Sequence, residues 1–78
     1  MQEFSITIHC FKDILDFVDL AQRQPFGIMA GNASQLVSAK SHMGMCSLDC
    51  FRPVWIRTEC SEAEYAAFRQ AAKRFLCP

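Results

Sequence analysis

The sequence predicts an α+β fold, an open-faced β-sandwich in which a four-stranded antiparallel sheet is covered on one face by three helices. Three observations lead there. Short segments alternate apolar and polar residues, the period of a strand with one buried and one wet face. Between them, apolar residues recur at three- and four-residue spacing, the stripe of an amphipathic helix. The two patterns follow one another as β-α-β-β-α-β-α, and alternation in place of continuous apolar runs argues for an antiparallel sheet.

The first strand is read over Gln2 to His9, where Phe4, Ile6 and Ile8 alternate with Ser5 and Thr7. At Phe11 the period changes. Phe11, Ile14, Leu15, Phe17, Val18 and Ala21 form a helical stripe, with Asp13, Asp16, Asp19, Gln22 and Arg23 on the other side. Asp13 and Asp16 suit the positive end of the helix dipole, Asp19 and Arg23 stand at i, i+4, and Pro25 ends the helix near Gln24. Phe26 to Ala30 and Ser34 to Ala39 read as two short strands joined in a hairpin by a turn at Gly31-Asn32-Ala33.

Ser41 to Leu48 reads as a short helix capped by Ser41. In Arg52 to Glu59, Val54, Ile56 and Thr58 point one way, Trp55 and Arg57 the other, so Trp55 is expected on the open surface of the sheet as a candidate partner or dimer contact. Ser61-Glu62-Ala63-Glu64 is a capping box. The helix it opens carries the stripe Tyr65, Phe68, Ala72, Phe75 and Leu76, with Arg69, Lys73 and Arg74 toward its C-terminal end.

Seventy-eight residues make one domain, expected to span residues 1–78. With 51% apolar residues the chain has the means to build a small core. Eight basic residues balance eight acidic ones, so no field draws in nucleic acid or an anionic membrane. No apolar run approaches the roughly 20 residues of a spanning helix, and no secretory leader is visible. The five cysteines, Cys10, Cys46, Cys50, Cys60 and Cys77, are read as reduced thiols of a cytoplasmic protein, most of them packed as small hydrophobes. No C-x-x-C or paired histidine suggests a metal site, and no cofactor motif is present.

One segment carries a resemblance. Lys40-Ser41-x-Met43-Gly44-x-x-Ser47-Leu48 is similar, at six of nine positions, to the K-S-I-M-G-V-M-S-L segment of the HPr phosphocarriers of the bacterial sugar phosphotransferase system. It falls between the third strand and the short second helix, as in that family, and the element order at this length is also the family's. The resemblance implies an HPr-like fold and two sites of chemistry. One is a histidine at the start of the first helix, in a G-x-H-x-R-P setting, which takes a phosphoryl group from enzyme I and passes it to sugar-specific carrier proteins. The other is the serine of the K-S-x-M-G segment, which a serine kinase phosphorylates in Gram-positive relatives. Neither role makes the protein an enzyme, since a phosphocarrier is a substrate of other enzymes.

The chain keeps the serine site and departs from the histidine one. Ile8-His9-Cys10-Phe11-Lys12-Asp13 contains no Gly-x-His, no arginine two residues after His9 and no following proline. Aligned on Phe17-Val18, Cys10 falls near the family's histidine, Lys12 near its arginine and Asp13 near its proline. His9 is the candidate phosphoryl acceptor, since imidazole is nucleophilic near neutral pH, and Lys12 the candidate anion partner. The alternative is a histidine exposed at a strand end. Cys10, beside a helix N-terminus, is either a reactive or an idle thiol.

Ser41 is both a helix cap and the candidate regulatory phosphorylation site, where about −2 of added charge would meet a helix N-terminus with Lys40 to screen it. Lys40, His42, Met43 and Ser47 are the candidate partner-binding residues around it. Two readings stay open: an HPr-like phosphocarrier-family protein using His9 or regulated at Ser41, and a non-catalytic binding module that kept the fold.

Overall fold

The computed structural model describes residues 2–33, 35–48 and 52–76. Its elements are β1 (Gln2–Ile6), α1 (Phe11–Gln22), β2 (Ile28–Gly31), β3 (Leu36–Ser38), α2 (His42–Ser47), β4 (Val54–Thr58) and α3 (Glu62–Ala71), followed by a 3₁₀ turn at Lys73–Phe75. The four strands form one antiparallel sheet in the order β1-β4-β2-β3. This is the α+β, open-faced arrangement expected, in the expected order. Among the described residues no helix is long and apolar enough to cross a membrane.

Strand alternation sorts the sheet into two faces. Ile6, Ile28, Ala30, Val54, Ile56 and Thr58 are buried under the helices. On the other face the register aligns two rows across the strands. One runs Glu3, Arg57, Met29, Ser38; the other runs Ser5, Trp55, Gly31, Leu36.

Phe68 of α3 is at the centre of the helical layer, 1% exposed. Its ring centroid lies 5.9 Å from Phe4, 6.1 Å from Phe17 and 6.0 Å from Phe26, and Phe75 meets Phe17 edge-on at 5.3 Å. These tilted and T-shaped contacts suit the ring quadrupole and add to the burial of large apolar area.

The capping box forms as read: Ser61 Oγ accepts from the Glu64 N–H at 3.2 Å, and Glu64 Oε1 accepts from the Ser61 N–H at 3.1 Å. Ser61→Ala should therefore lower stability by about 1 kcal/mol. Urea titration of both proteins checks this, with an unchanged slope showing that only the cap was lost.

Several boundaries differ from the sequence reading. β1 stops at Ile6, because beyond it Thr7 N–H turns to the Phe75 carbonyl at 2.8 Å. Gly31 belongs to β2, since the loop closes one residue later through Asn32 N–H to the Gln35 carbonyl at 3.0 Å. The last helix ends at Ala71, so Phe75 and Leu76 do not continue its stripe. They fold back through the 3₁₀ turn, where Leu76 bridges to Ile6 and Phe75 enters the core. Cys10 and Cys46 are exposed and Cys60 is half-buried, all three as free thiols, so none of these is the packed small hydrophobe expected. Cys50, Phe51 and Cys77 lie outside the described residues.

Candidate functional site

The candidate residues fall at two places: the approach to α2 and the junction between β1 and α1. At the first, a tight turn leaves β3, with the Ser41 N–H donating to the Ser38 carbonyl at 3.1 Å. Ser41 is extended (φ −102°, ψ 120°), and its Oγ accepts from the Gly44 N–H at 3.1 Å, the geometry of an N-cap. Gly44 also permits the close approach of α2 to the sheet, since a Cβ there would stand 3.2 Å from Val37 Cβ and 3.3 Å from Ser41.

The residues flanking Ser41 fasten this turn to its surroundings. Lys40 Nζ donates to the Gln24 carbonyl at 2.8 Å, just beyond α1, where the helix dipole favours a cation. Its backbone carbonyl accepts from Gln22 Nε2 at 2.9 Å, and its N–H donates to Ser38 Oγ at 3.2 Å. Lys40 thus joins the end of α1 to the start of α2. Ser47 Oγ donates to the Gly44 carbonyl and accepts from Gln35 Nε2, both at 2.7 Å, tying α2 to the β2–β3 loop.

His42 and Met43 project outward, Met43 being 86% exposed, while Met45 and Leu48 are buried. Phe11, Leu15 and Gln22 share one side of α1, within about 40° on a 3.6-residue helix. Gln22 reaches Lys40, so this side flanks the approach to α2, and Phe11 and Leu15 on it are exposed. Phe11 and Leu15 on α1 and His42 and Met43 on α2 are thus exposed on the two helices that meet near Ser41.

At the second place, His9 is exposed one residue before Cys10, the N-cap of α1. Cys10 makes no side-chain cap. Asp13 reaches back across this junction: its Oδ2 accepts from the His9 backbone N–H at 3.1 Å, while its own N–H donates to the Cys10 carbonyl at 3.1 Å. Asp13 also faces Arg74 at 3.4 Å, and Arg74 bonds Asp16 at 2.7 Å with its guanidinium 4.4 Å above the Phe75 ring. A carboxylate therefore lies within one turn of His9 at the start of α1, where its charge opposes an added phosphoryl group.

Lys12 is exposed on the outer side of α1, bordering a shallow depression of about 420 Å³ with Asp16, Asp19 and Arg74. The structure thus brings Lys12 beside carboxylates. Asp13 and Arg74 are the residues that sequence reasoning missed here. Asp13 had a local signal, four residues after His9; Arg74, 58 residues beyond Asp16, had none.

In comparisons with known proteins, no family model matches the chain and no curated protein matches it.

Proposed function

We propose that the chain is a divergent HPr-like protein related to the sugar phosphotransferase system, acting through protein–protein contact at a surface centred on Ser41. The observation that carries this reading is the K-S-x-M-G segment itself. It forms a capped α2 with Ser41 Oγ at the helix start and His42 and Met43 exposed beside it. Lys40 and Ser47 hold that surface in place. Methionine suits such a contact because its flexible, polarizable chain adapts to a partner.

Phosphorylation of Ser41 would replace one capping oxygen by a dianion at a helix N-terminus, which the helix tolerates and an acidic partner would not. On this reading the protein works in the cytoplasm, is not itself an enzyme, and meets a serine kinase, enzyme I or sugar-specific carriers of the phosphotransferase system. It needs no cofactor, nucleic acid or membrane. The exposure of His9 at the mouth of α1 favours a second reading, phosphoryl acceptance from enzyme I, but Asp13 at the same helix start opposes it. A binding module without phosphoryl chemistry is the remaining alternative.

Incubation with a serine kinase of this system and ATP should give an acid-stable phosphoadduct that disappears in Ser41→Ala. No adduct, or one indifferent to that substitution, overturns the regulated-serine reading. Incubation with phosphoenolpyruvate and enzyme I tests His9: an acid-labile adduct lost in His9→Ala would make the protein a carrier. Absence of both adducts leaves the binding module.

A further inference from the structure

The side chains of α2 follow one another at about 100° around its axis. Met45 is fully buried on one side, and Gly44 beside it faces Val37 of β3. His42, Cys46 and Met43 come in that order across the other side, Cys46 about 40° from His42 and about 60° from Met43. All three are exposed. Cys46 is at i, i+4 from His42 and at i, i+3 from Met43, spacings that set Cβ atoms about 5–6 Å apart. Side chains on a helix lean toward its N-terminus. The Cys46 sulfur is thereby carried back to the turn from which His42 and Met43 project.

We propose that His42, Met43 and Cys46 form a binding site for copper(I). An imidazole nitrogen, a thioether sulfur and a thiolate sulfur make a soft set of three donors. Thiolate and thioether select copper(I), and imidazole suits it as well. Zinc is matched less well, since its structural sites take four ligands from thiolate, imidazole and carboxylate. Among the described residues no three His, Cys, Asp or Glu side chains gather to offer such a set. On binding, the Cys46 thiol releases its proton to solvent. Its sulfur and the two neutral donors then bond to the ion, and one thiolate charge balances one copper charge. The copper stays univalent throughout, so no oxidant or reductant takes part.

The helix gives these donors a firm base. It is capped at its start through Ser41 Oγ, tied at its end by Gln35 Nε2 to Ser47 Oγ at 2.7 Å, and anchored in the core by Met45. A metal site needs ligands held close to their bound positions by packed and hydrogen-bonded supports. Among the described residues none of the three side chains is committed to a hydrogen bond or ion pair. Cys10 supplies the contrast. It is exposed as well, but His9 precedes it by one residue outside α1, so those two side chains share no helical face. Copper binding on α2 is independent of any phosphoryl chemistry at Ser41 or His9.

Anaerobic titration of the chain with copper(I) against the coloured chelator bicinchoninate should show one equivalent held more tightly than any other. Cys46→Ser should lose that equivalent. His42→Gln and Met43→Leu should each weaken it by roughly tenfold or more. Cys10→Ser should leave it unchanged. Circular dichroism checks the fold of each variant. In the wild-type chain, redox-inert silver(I) should shift the NMR signals of both the His42 ring and the Met43 methyl group, and this readout decides the matter should a variant fail to fold. Absence of a tight equivalent, its survival in Cys46→Ser, its loss in Cys10→Ser, or an affinity unmoved by His42→Gln or by Met43→Leu overturns the proposal. Silver(I) that leaves either signal in place overturns it too.

Discussion

Phe68→Ala should leave the protein close to the edge of folding. The side chain is 1% exposed and touches the rings of Phe4, Phe17 and Phe26, which come from three different parts of the chain. Truncating it removes the transfer free energy of a whole ring and leaves a cavity that these neighbours close only in part, a cost of about 3–5 kcal/mol. A domain of this length holds roughly 4–12 kcal/mol in all. The urea midpoint should fall by roughly 3 M at the slope of a small domain. Phe11→Ala supplies the control: the same deletion of atoms at a residue 62% exposed should change stability by no more than about 0.5 kcal/mol. Equal effects at the two positions would mean that α3 is not seated on the sheet as described.

Gly31→Ala should also destabilise strongly for so small a change, by about 1–3 kcal/mol. The reason is space. No glycine of the described chain has a positive φ, so the backbone at Gly31 would accept any residue. An added Cβ, however, would lie 2.9 Å from the Gln35 carbonyl oxygen and 3.0 Å from Leu36 Cδ1. Leu36 can rotate away; the Gln35 carbonyl cannot, because it accepts the Asn32 N–H that closes the hairpin loop. Gly27→Ala makes the comparison. Its Cβ would meet only the flexible end of Glu59, at 3.4 Å, and restricting the unfolded chain should make it neutral to about 1 kcal/mol stabilising. Thermal unfolding of the two variants side by side tests both signs, and similar effects would show that crowding at the hairpin is not the cause.

The elements that could be read from the sequence are those whose causes are local. The alternation of Phe4 and Ile6, the stripe of Ile14, Phe17, Val18 and Ala21, and the Ser61–Glu64 box all act within a few residues, and each forms as expected. Ser41 was legible for the same reason, a hydroxyl three residues before the N–H it caps. What escaped was set by partners far along the chain. No glycine or proline marks the break at Ala72. The helix ends because Phe75 fits against Phe17 and Leu76 against the edge at Ile6, neither of which a periodicity can register. The surroundings of His9 depend on Arg74 holding Asp13 and Asp16. Residue type named the candidate acceptor; its carboxylate neighbour Asp13 is local, and tertiary contact added the arginine that holds it.

The position of β4 in the sheet has a consequence for how the chain reaches this state. β4 is the last strand in sequence, yet it lies between β1 and β2, so Gln2 finds its partner Thr58 only 56 positions further along the chain. Before Val54 to Thr58 has left the ribosome, β1 has no neighbour and the β2–β3 hairpin stands alone, and a lone hairpin is marginal in water. Closing so long a loop is an entropic cost met before any ladder bond repays it, which slows folding relative to a helical bundle of equal length. Until then Ile28, Ala30 and Phe4 have no sheet to be buried in. A nascent chain stalled just short of β4 would expose sticky half-sheets, and that interval is when this protein would most depend on a chaperone.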